Sequence, residues 1–456
     1  MNALLNATSF LDGPYAPVDD ERVDACDVVG EIPRELAGVF VQNSANPKHA
    51  PRGAYHWFDG DGMVHGVELR EGRATYRNRW IRTKGLARDD EAGRALTDGI
   101  LMPITGPDKD TANTDLVFHD GKLMALWWLG GQPYTLDVPS LETRGPEDFG
   151  GTLSCGIAAH PKVDPVTDEL IFFDYDPYKR PHMRYGVAAQ GKVDHIVDVE
   201  LPGPSLLHDI AITEHFTVLL DFPMRWDVDK LAQGRRRVTF DDDEPARIGL
   251  IERRGSQVRW FEAKPCYSYH TVNAWEEGDE VVLIGCRIDN PMPRVPHEAE
   301  PEVPRLTFLR LHPFLYEWRL NRVTGQVKER ALDDVPTEFP RMNDAVLGRK
   351  SRYAWHPRIA RAKSLLFDGL IKYDLDGGAP KALDHGPDHI GGEAVFVPRP
   401  GATDEDDGWL TVFVTDLREN RTELRVIQAA DMEVVARVQM ARRVPFGFHA
   451  HWAPLS

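Results

Sequence analysis

The chain has 456 residues, 42% hydrophobic and 28% charged, which is ordinary globular composition, and no apolar run approaches the roughly 18 residues of a membrane-spanning helix. Its formal net charge of −18 repels nucleic acid and anionic head groups at long range, which argues against a nucleic-acid partner. Four cysteines (Cys26, Cys155, Cys266 and Cys286) are scattered without a CxxC pair, so reduced thiols are expected rather than a disulfide framework.

At the start, MNALLNATSFLDGPYAPVDDE has no basic opening, and Asn and Ser interrupt its apolar run. It does not read as a leader, and a cytoplasmic protein is expected. The stretch VHGVELREGRATYRNRWIRT is the first hairpin, turned at REG. ARDDEAGRAL has a helical pattern, and it opens a segment, Arg88–Asp115, that leaves the hairpin rhythm and contains the apolar turn GILMPITGP. Hairpins resume with DLVFHDGKLMALWWL, YTLDVPSLETRG and IAITEHFTVLLDF; WDVDKLAQGRR is the second helical stretch. IGLIERRGSQVRWFEA precedes a second irregular segment, Pro291–His312, rich in Pro and Glu, and FLYEWRLNRVTGQVKERAL and LTVFVTDLRENRTELRVIQ complete the series.

Hairpins over the whole length, with no Pro/Ser-rich or charged linker between them, predict one closed β architecture across residues 1–456. A β-propeller is the leading form and two stacked β-sandwiches the rival. The insertions around 88–115 and 291–312 are expected to lie as loops over one face.

The chain lacks GxxxxGK[ST], a GxGxxG after a strand, GxSxG, HExxH and a facial-triad H-x-[DE] pair, which removes the common nucleotide and hydrolase machineries. Histidine remains, seventeen in all. His160 in AAHPKVDPVTDE, His208 in LLHDIAITEHF, His270 in YSYHTVNAWEEGDE and His449 in PFGFHAHW each stand at the edge of a β-type run. Far apart in sequence, they meet only if a closed fold brings distant strands to one axis. One inward histidine from each of four propeller blades would form a neutral nitrogen-only site suited to a borderline ion such as Fe(II). Each alone reads as readily as a structural histidine.

The words YHWFDGDGMVHGVEL, TANTDLVFHDGKLMALW, AAHPKVDPVTDEL, HDIAITEHF, EFPRMN and GFHAHW resemble, in order, those of the carotenoid cleavage oxygenases. That family includes plant epoxycarotenoid dioxygenases, retinal-pigment isomerohydrolase and bacterial lignostilbene dioxygenases. The resemblance runs from about Val28 to the C-terminus. It implies an all-β, seven-bladed propeller with a dome of loops and short helices, and one axial Fe(II) per chain held by His160, His208, His270 and His449. His451 competes for the last place, but the family pattern sets the ligand directly after the aromatic of GFH. The resemblance also implies Glu338 and Glu393 as carboxylates that fix the ligand histidines in one tautomer. A third acid, within a word like ALxExxxPY, is missing: the chain reads ALWWLGGQPY, with Trp128 or Leu129 in its place. One ligand histidine should therefore lack a carboxylate.

The reaction implied is cleavage of a C=C bond by O₂ into two carbonyl products. Phe58, Ile100, Trp127 and Trp128, with the Gly99–Pro103 stretch, are the expected tunnel lining. Relatives that cleave phenolic stilbenes grip the hydroxyl with Tyr and Lys at places that fall here near Ile100 and Trp127–Trp128, so a carotenoid or apocarotenoid is expected before a stilbene. Bilayer-dissolved substrate predicts peripheral membrane contact through GILMPITGP. No obligate protein partner is called for. A propeller that binds a polyene or a partner without turnover is the alternative of a different class.

Overall fold

Alternating apolar and polar residues make most of the chain extended, and short turns fold each extended run back on itself. A computed structural model describes residues 9–455; the reading of the first eight residues as no leader lies outside them. All seven predicted hairpins are antiparallel strand pairs. Gly62–Arg70 and Arg73–Trp80 are joined by Glu71 and Gly72, at φ 52° and 75°, and Asp115–His119 and Lys122–Leu126 by Asp120 and Gly121, at φ 49° and 71°. Two successive left-handed residues twist a two-residue turn with the strands it joins, which is why the second is glycine each time.

The hairpins merge into antiparallel sheets laid out in chain order. Four of them have four strands each, beginning at Asp115, Lys162, Ile210 and Tyr267. A nine-stranded assembly joins Asp27–Gly30 to the eight strands from Tyr353 to Gln439; the pair Phe367 with Gly391 links its first half to its second. The chain ends close the arrangement: Asp27–Gly30 pairs with Val434–Gln439, and Ala450–Ala453 pairs with Gly38–Ala45. Apolar clusters fill the spaces between neighbouring sheets, with Trp57, Trp318, Trp355 and Trp409 among the largest buried side chains.

Helix is scarce, as expected. Thr83 caps Lys84–Ala92, accepting from the Leu86 amide, and Gly93 ends it at φ 64°, so the ARDDEAGRAL helix stops before Leu96. Val228–Ala232 is the second helix. The segment 291–312 carries a small hairpin, Arg305–Leu306 with Leu309–Arg310. The four thiols are unpaired. Among the described residues no helix is long and apolar enough to cross a membrane.

Closure is tight where the C-terminal strand arrives, because a Cβ on Gly38 would meet the Trp452 ring at 2.3 Å. Gly38→Val is expected to destabilise the protein by about 1–3 kcal/mol through overpacking, read as a lower denaturant midpoint. A second expectation concerns acid. Burial pushes His56, His65, His356 and His385 from the ordinary 6.5 down to about 3. A base depressed in the folded state is protonated first when unfolded, so its penalty is absent above pH 6.5 and grows as pH falls toward 3. Each such histidine lowers stability by about 1.4 kcal/mol per pH unit in that window. Denaturant midpoints at pH 7 and pH 5 should therefore differ strongly, and equal midpoints would contradict neutral burial.

Candidate metal centre

Four histidines from four different sheets meet at one point. His160, His208 and His449 stand just before the strands Lys162–Val163, Ile210–Ile212 and Ala450–Ala453, and His270 lies within Tyr267–Glu277. One ring nitrogen from each falls within 4.8 Å of the others. His160, His270 and His449 are buried and His208 is nearly so. His160 adopts φ 67°, a left-handed backbone that a non-glycine residue holds at a cost of about 1–3 kcal/mol and that turns its ring away from the path of its strand.

The sheets that give no histidine give carboxylates. Asp115 opens the strand Asp115–His119, and its Oδ2 lies 3.1 Å from His160 Nδ1 while accepting the His160 amide at 3.0 Å. Glu338, beside the bridge of Thr337 to Arg358, accepts from His270 Nδ1 at 2.5 Å. Glu393, between His389–Gly391 and Val395–Pro398, accepts from His449 Nδ1 at 3.1 Å and also takes the Ala450 amide. Each acceptor holds the proton on Nδ1 and leaves Nε2 with a lone pair toward the centre.

His208 differs. Among the described residues its ring nitrogens have no carboxylate partner; Nε2 lies 3.2 Å from His270 Nε2, and the ring meets Tyr269 edge-on at 5.1 Å. Trp128 borders it across a cavity. One histidine does lack its acid, as expected. Asp115 was not anticipated: it lies within the word TANTDLVFH, and an acid opening an inner strand was its only signal.

The donor set fits a divalent cation. Burial first, and then the neighbouring imidazoles, push His208 and His270 well below the ordinary histidine range, so both are neutral at pH 7. His160 Nε2 is buried without a hydrogen-bond partner. Lone pairs facing one another in a dry core, with carboxylates behind them, are stable only around positive charge. Burial raises Glu338 to about 8, and a cation held by the cluster would favour its ionised form.

The cluster forms a wall between two chambers. His270 and His449 border both. A polar cavity open to solvent, with Lys162, Asp209 and Arg341 on its surface, lies on one side. A small aromatic cavity lies on the other, bounded by Phe58, Trp128, Tyr269, Phe339 and Phe448. A further cavity adjoins it, sharing Phe58, Trp128, His208 and Tyr269 and reaching Ile100, Leu101 and Phe308.

The family model described as Retinal pigment epithelial membrane protein matches residues 15–454. The chain belongs to the carotenoid cleavage oxygenase family. It is similar to the carotenoid 9,10(9′,10′)-cleavage dioxygenase of Crocus sativus, with 36% identity over 97% of this chain and 88% of the relative. A carotenoid cleavage oxygenase of Mycobacterium tuberculosis is 33% identical over 98% of this chain and 97% of its own. The crystal structure of Pseudomonas brassicacearum lignostilbene dioxygenase superposes with a TM-score of 0.89 at 27% identity, covering 99% of both chains. As a carotenoid cleavage oxygenase, this protein is an enzyme of the non-haem iron dioxygenase type.

Of the lining residues read from the sequence, Phe58, Ile100 and Trp128 border the two aromatic cavities. Trp127 does not. The strand ends at Leu126 and the chain turns at Trp128, and Trp127 lines another cleft, beside Asp59 and Arg236. His451 borders the polar cavity and stands outside the cluster, which leaves His449 as the fourth member. Tyr269, Phe339 and Leu306 were missed, since nothing in a single sequence marks which aromatic or aliphatic side chains line a cavity. The surface of the aromatic chamber is almost wholly apolar, and the Tyr269 hydroxyl and the Trp128 and Trp226 indole N–H groups, in residues that border it or the adjoining cavity, are buried without protein partners.

Asp115→Asn, Glu338→Gln and Glu393→Gln are each expected to weaken divalent-metal affinity about 10–100-fold while the fold persists, as measured by chelator competition. Unchanged affinity in all three would show that the carboxylates do not orient the ligands.

Proposed function

We propose that this enzyme holds one Fe(II) per chain on His160, His208, His270 and His449 and cleaves one C=C bond of an apocarotenoid with O₂ to give two carbonyl products. The observation that carries this reading is the convergence of four imidazoles, three aimed by buried carboxylates, in a wall between an aromatic and a polar chamber. Bound iron supplies the activation of O₂ for attack on an electron-rich alkene.

The protein's own residues supply placement and dryness. Asp115, Glu338 and Glu393 hold protons on Nδ1 and keep the inward nitrogens free of them. Phe58, Trp128, Phe339 and Phe448 exclude water and flank an elongated conjugated chain. The Tyr269 hydroxyl and the Trp128 and Trp226 indole N–H groups are unpartnered in residues that border the chambers, and rotation of one of them toward the substrate would favour a molecule that carries an oxygen atom, because an unpaired buried donor costs about 1–3 kcal/mol. An apocarotenoid carbonyl or hydroxyl meets that need within a long apolar molecule, whereas a hydrocarbon carotene does not.

The architecture is read as a single seven-bladed propeller over the whole chain, the nine-stranded assembly counting as two blades because one residue pair joins its halves. In this reading each blade contributes one inward residue, a histidine or a carboxylate. Segments 88–115 and 291–312 serve as the dome, and exposed Leu101 and Phe308 at its rim support peripheral contact of a cytoplasmic enzyme with a membrane. Similarity to a lignostilbene dioxygenase favours a stilbene as the second substrate reading.

Anaerobic purification followed by iron analysis should give near one iron per chain, and admitting air with a β-apocarotenal should bleach the polyene into two shorter carbonyl compounds. His160→Ala or His270→Ala should abolish both. Faster cleavage of a hydroxystilbene than of the apocarotenal would move the substrate to the second reading, and an iron-free chain that cannot be reconstituted would favour a binding protein. Tyr269→Phe should lower kcat/KM for the oxygenated polyene more than for its hydrocarbon analogue; equal losses would remove the hydroxyl from recognition. Leu101→Glu with Phe308→Glu should slow turnover of liposome-delivered substrate more than detergent-dispersed substrate.

A further inference from the structure

His208 is the one member of the cluster with no carboxylate behind it among the described residues, yet its ring lies with the other three. Its chain neighbour Asp209 is 4% exposed and binds four donors. Oδ1 accepts the Ile210 amide at 2.7 Å and pairs with Lys162 Nζ at 2.7 Å; Oδ2 accepts the Thr271 amide and the Thr271 hydroxyl, each at 2.7 Å. Lys162 stands two residues after His160, and Thr271 directly follows His270. The carboxylate therefore sits where the backbones of three ligand-bearing strands, from three separate sheets, come together.

We infer that Asp209 is the positioning residue for His208, fixing that strand against the His160 and His270 strands and so doing through the backbone what a carboxylate on Nδ1 does for the other three histidines. The inference rests on the four-histidine reading of the metal centre. A side chain with four short bonds to three strands leaves the backbone at residue 208 little freedom, and the imidazole is attached one residue away. Loss of the carboxylate frees Lys162 and both Thr271 donors in a buried setting, so the strands separate and the four nitrogens lose their common point. Ordinary packing does not predict that this effect falls on the metal site in preference to the rest of the fold.

The test uses the full chain with Co(II) alone, titrated by its visible absorption and by chelator competition, in the wild type, Asp209→Asn, Asp209→Ala and Thr271→Val. Asp209→Asn should weaken Co(II) binding about 10–100-fold and alter the intensity of the visible band, the range seen when groups supporting a metal ligand are removed. Thr271→Val should shift both in the same direction by less, and it carries the test if Asp209→Ala does not fold. Adding Trp128→Glu to Asp209→Asn places a carboxylate on the wall that His208 shares, and should recover at least part of the lost affinity. Asp209→Asn and Thr271→Val with wild-type affinity and spectrum, or with a lower melting temperature alone, would overturn the inference and leave the metal centre standing. A wild-type chain that binds no Co(II) would overturn both.

Discussion

Four imidazoles do not pack against one another by preference. Their nitrogens lie within 4.8 Å, and lone pairs at that separation in a dry core repel unless something positive stands among them. The rest of the structure is arranged around that constraint. Three carboxylates fix ring orientation from behind, one from the sheet that begins at Asp115 and two from beside the nine-stranded assembly, and Asp209 ties together the strands beside three of the rings. Asp115, Glu338, Glu393 and Asp209 each accept at least one backbone amide, which fixes the supporting carboxylates to the strands.

Closure of the fold makes this convergence achievable. Inner strands of separate sheets approach one another only because the chain ends interlock, the strand after His449 pairing with Gly38–Ala45 and an early strand pairing with Val434–Gln439. His449 therefore reaches the centre beside the same strand that joins the chain's end to Gly38–Ala45. Stability and the site are coupled at that seam, where Gly38 leaves room for Trp452.

The position of the cluster in a wall has chemical consequences. On one side Lys162, Arg341 and several carboxylates face a polar chamber; on the other, aromatic rings enclose a space that water does not favour. An oxygenase working on a conjugated chain needs such separation, since a dry chamber protects a reactive centre while a polar one can accommodate ions and water. Trp128 belongs to this division. It stands beside His208 in the aromatic wall, where an acid would put charge into the substrate's space, and the support for His208 lies on the polar side instead.

The sequence by itself determined the local structure: the strands, the two-residue turns with a glycine at the left-handed position, the two short helices and three of the four histidines just before strands, His270 lying inside its strand instead. These depend on residue alternation and on φ, which are properties of neighbouring residues. Glu338 and Glu393 were legible only through resemblance, since a glutamate near a strand is ordinarily a solvated charge. Asp115 as the partner of His160, Asp209 as a clamp over three strands, the turning of Trp127 away from the cavity that Trp128 borders, and the unpartnered donors beside His208 were decided by the tertiary structure alone. Asp115 and His160 lie 45 positions apart, and Asp209 and Thr271 lie 62 apart, so only the packing of separate sheets sets the distances between them.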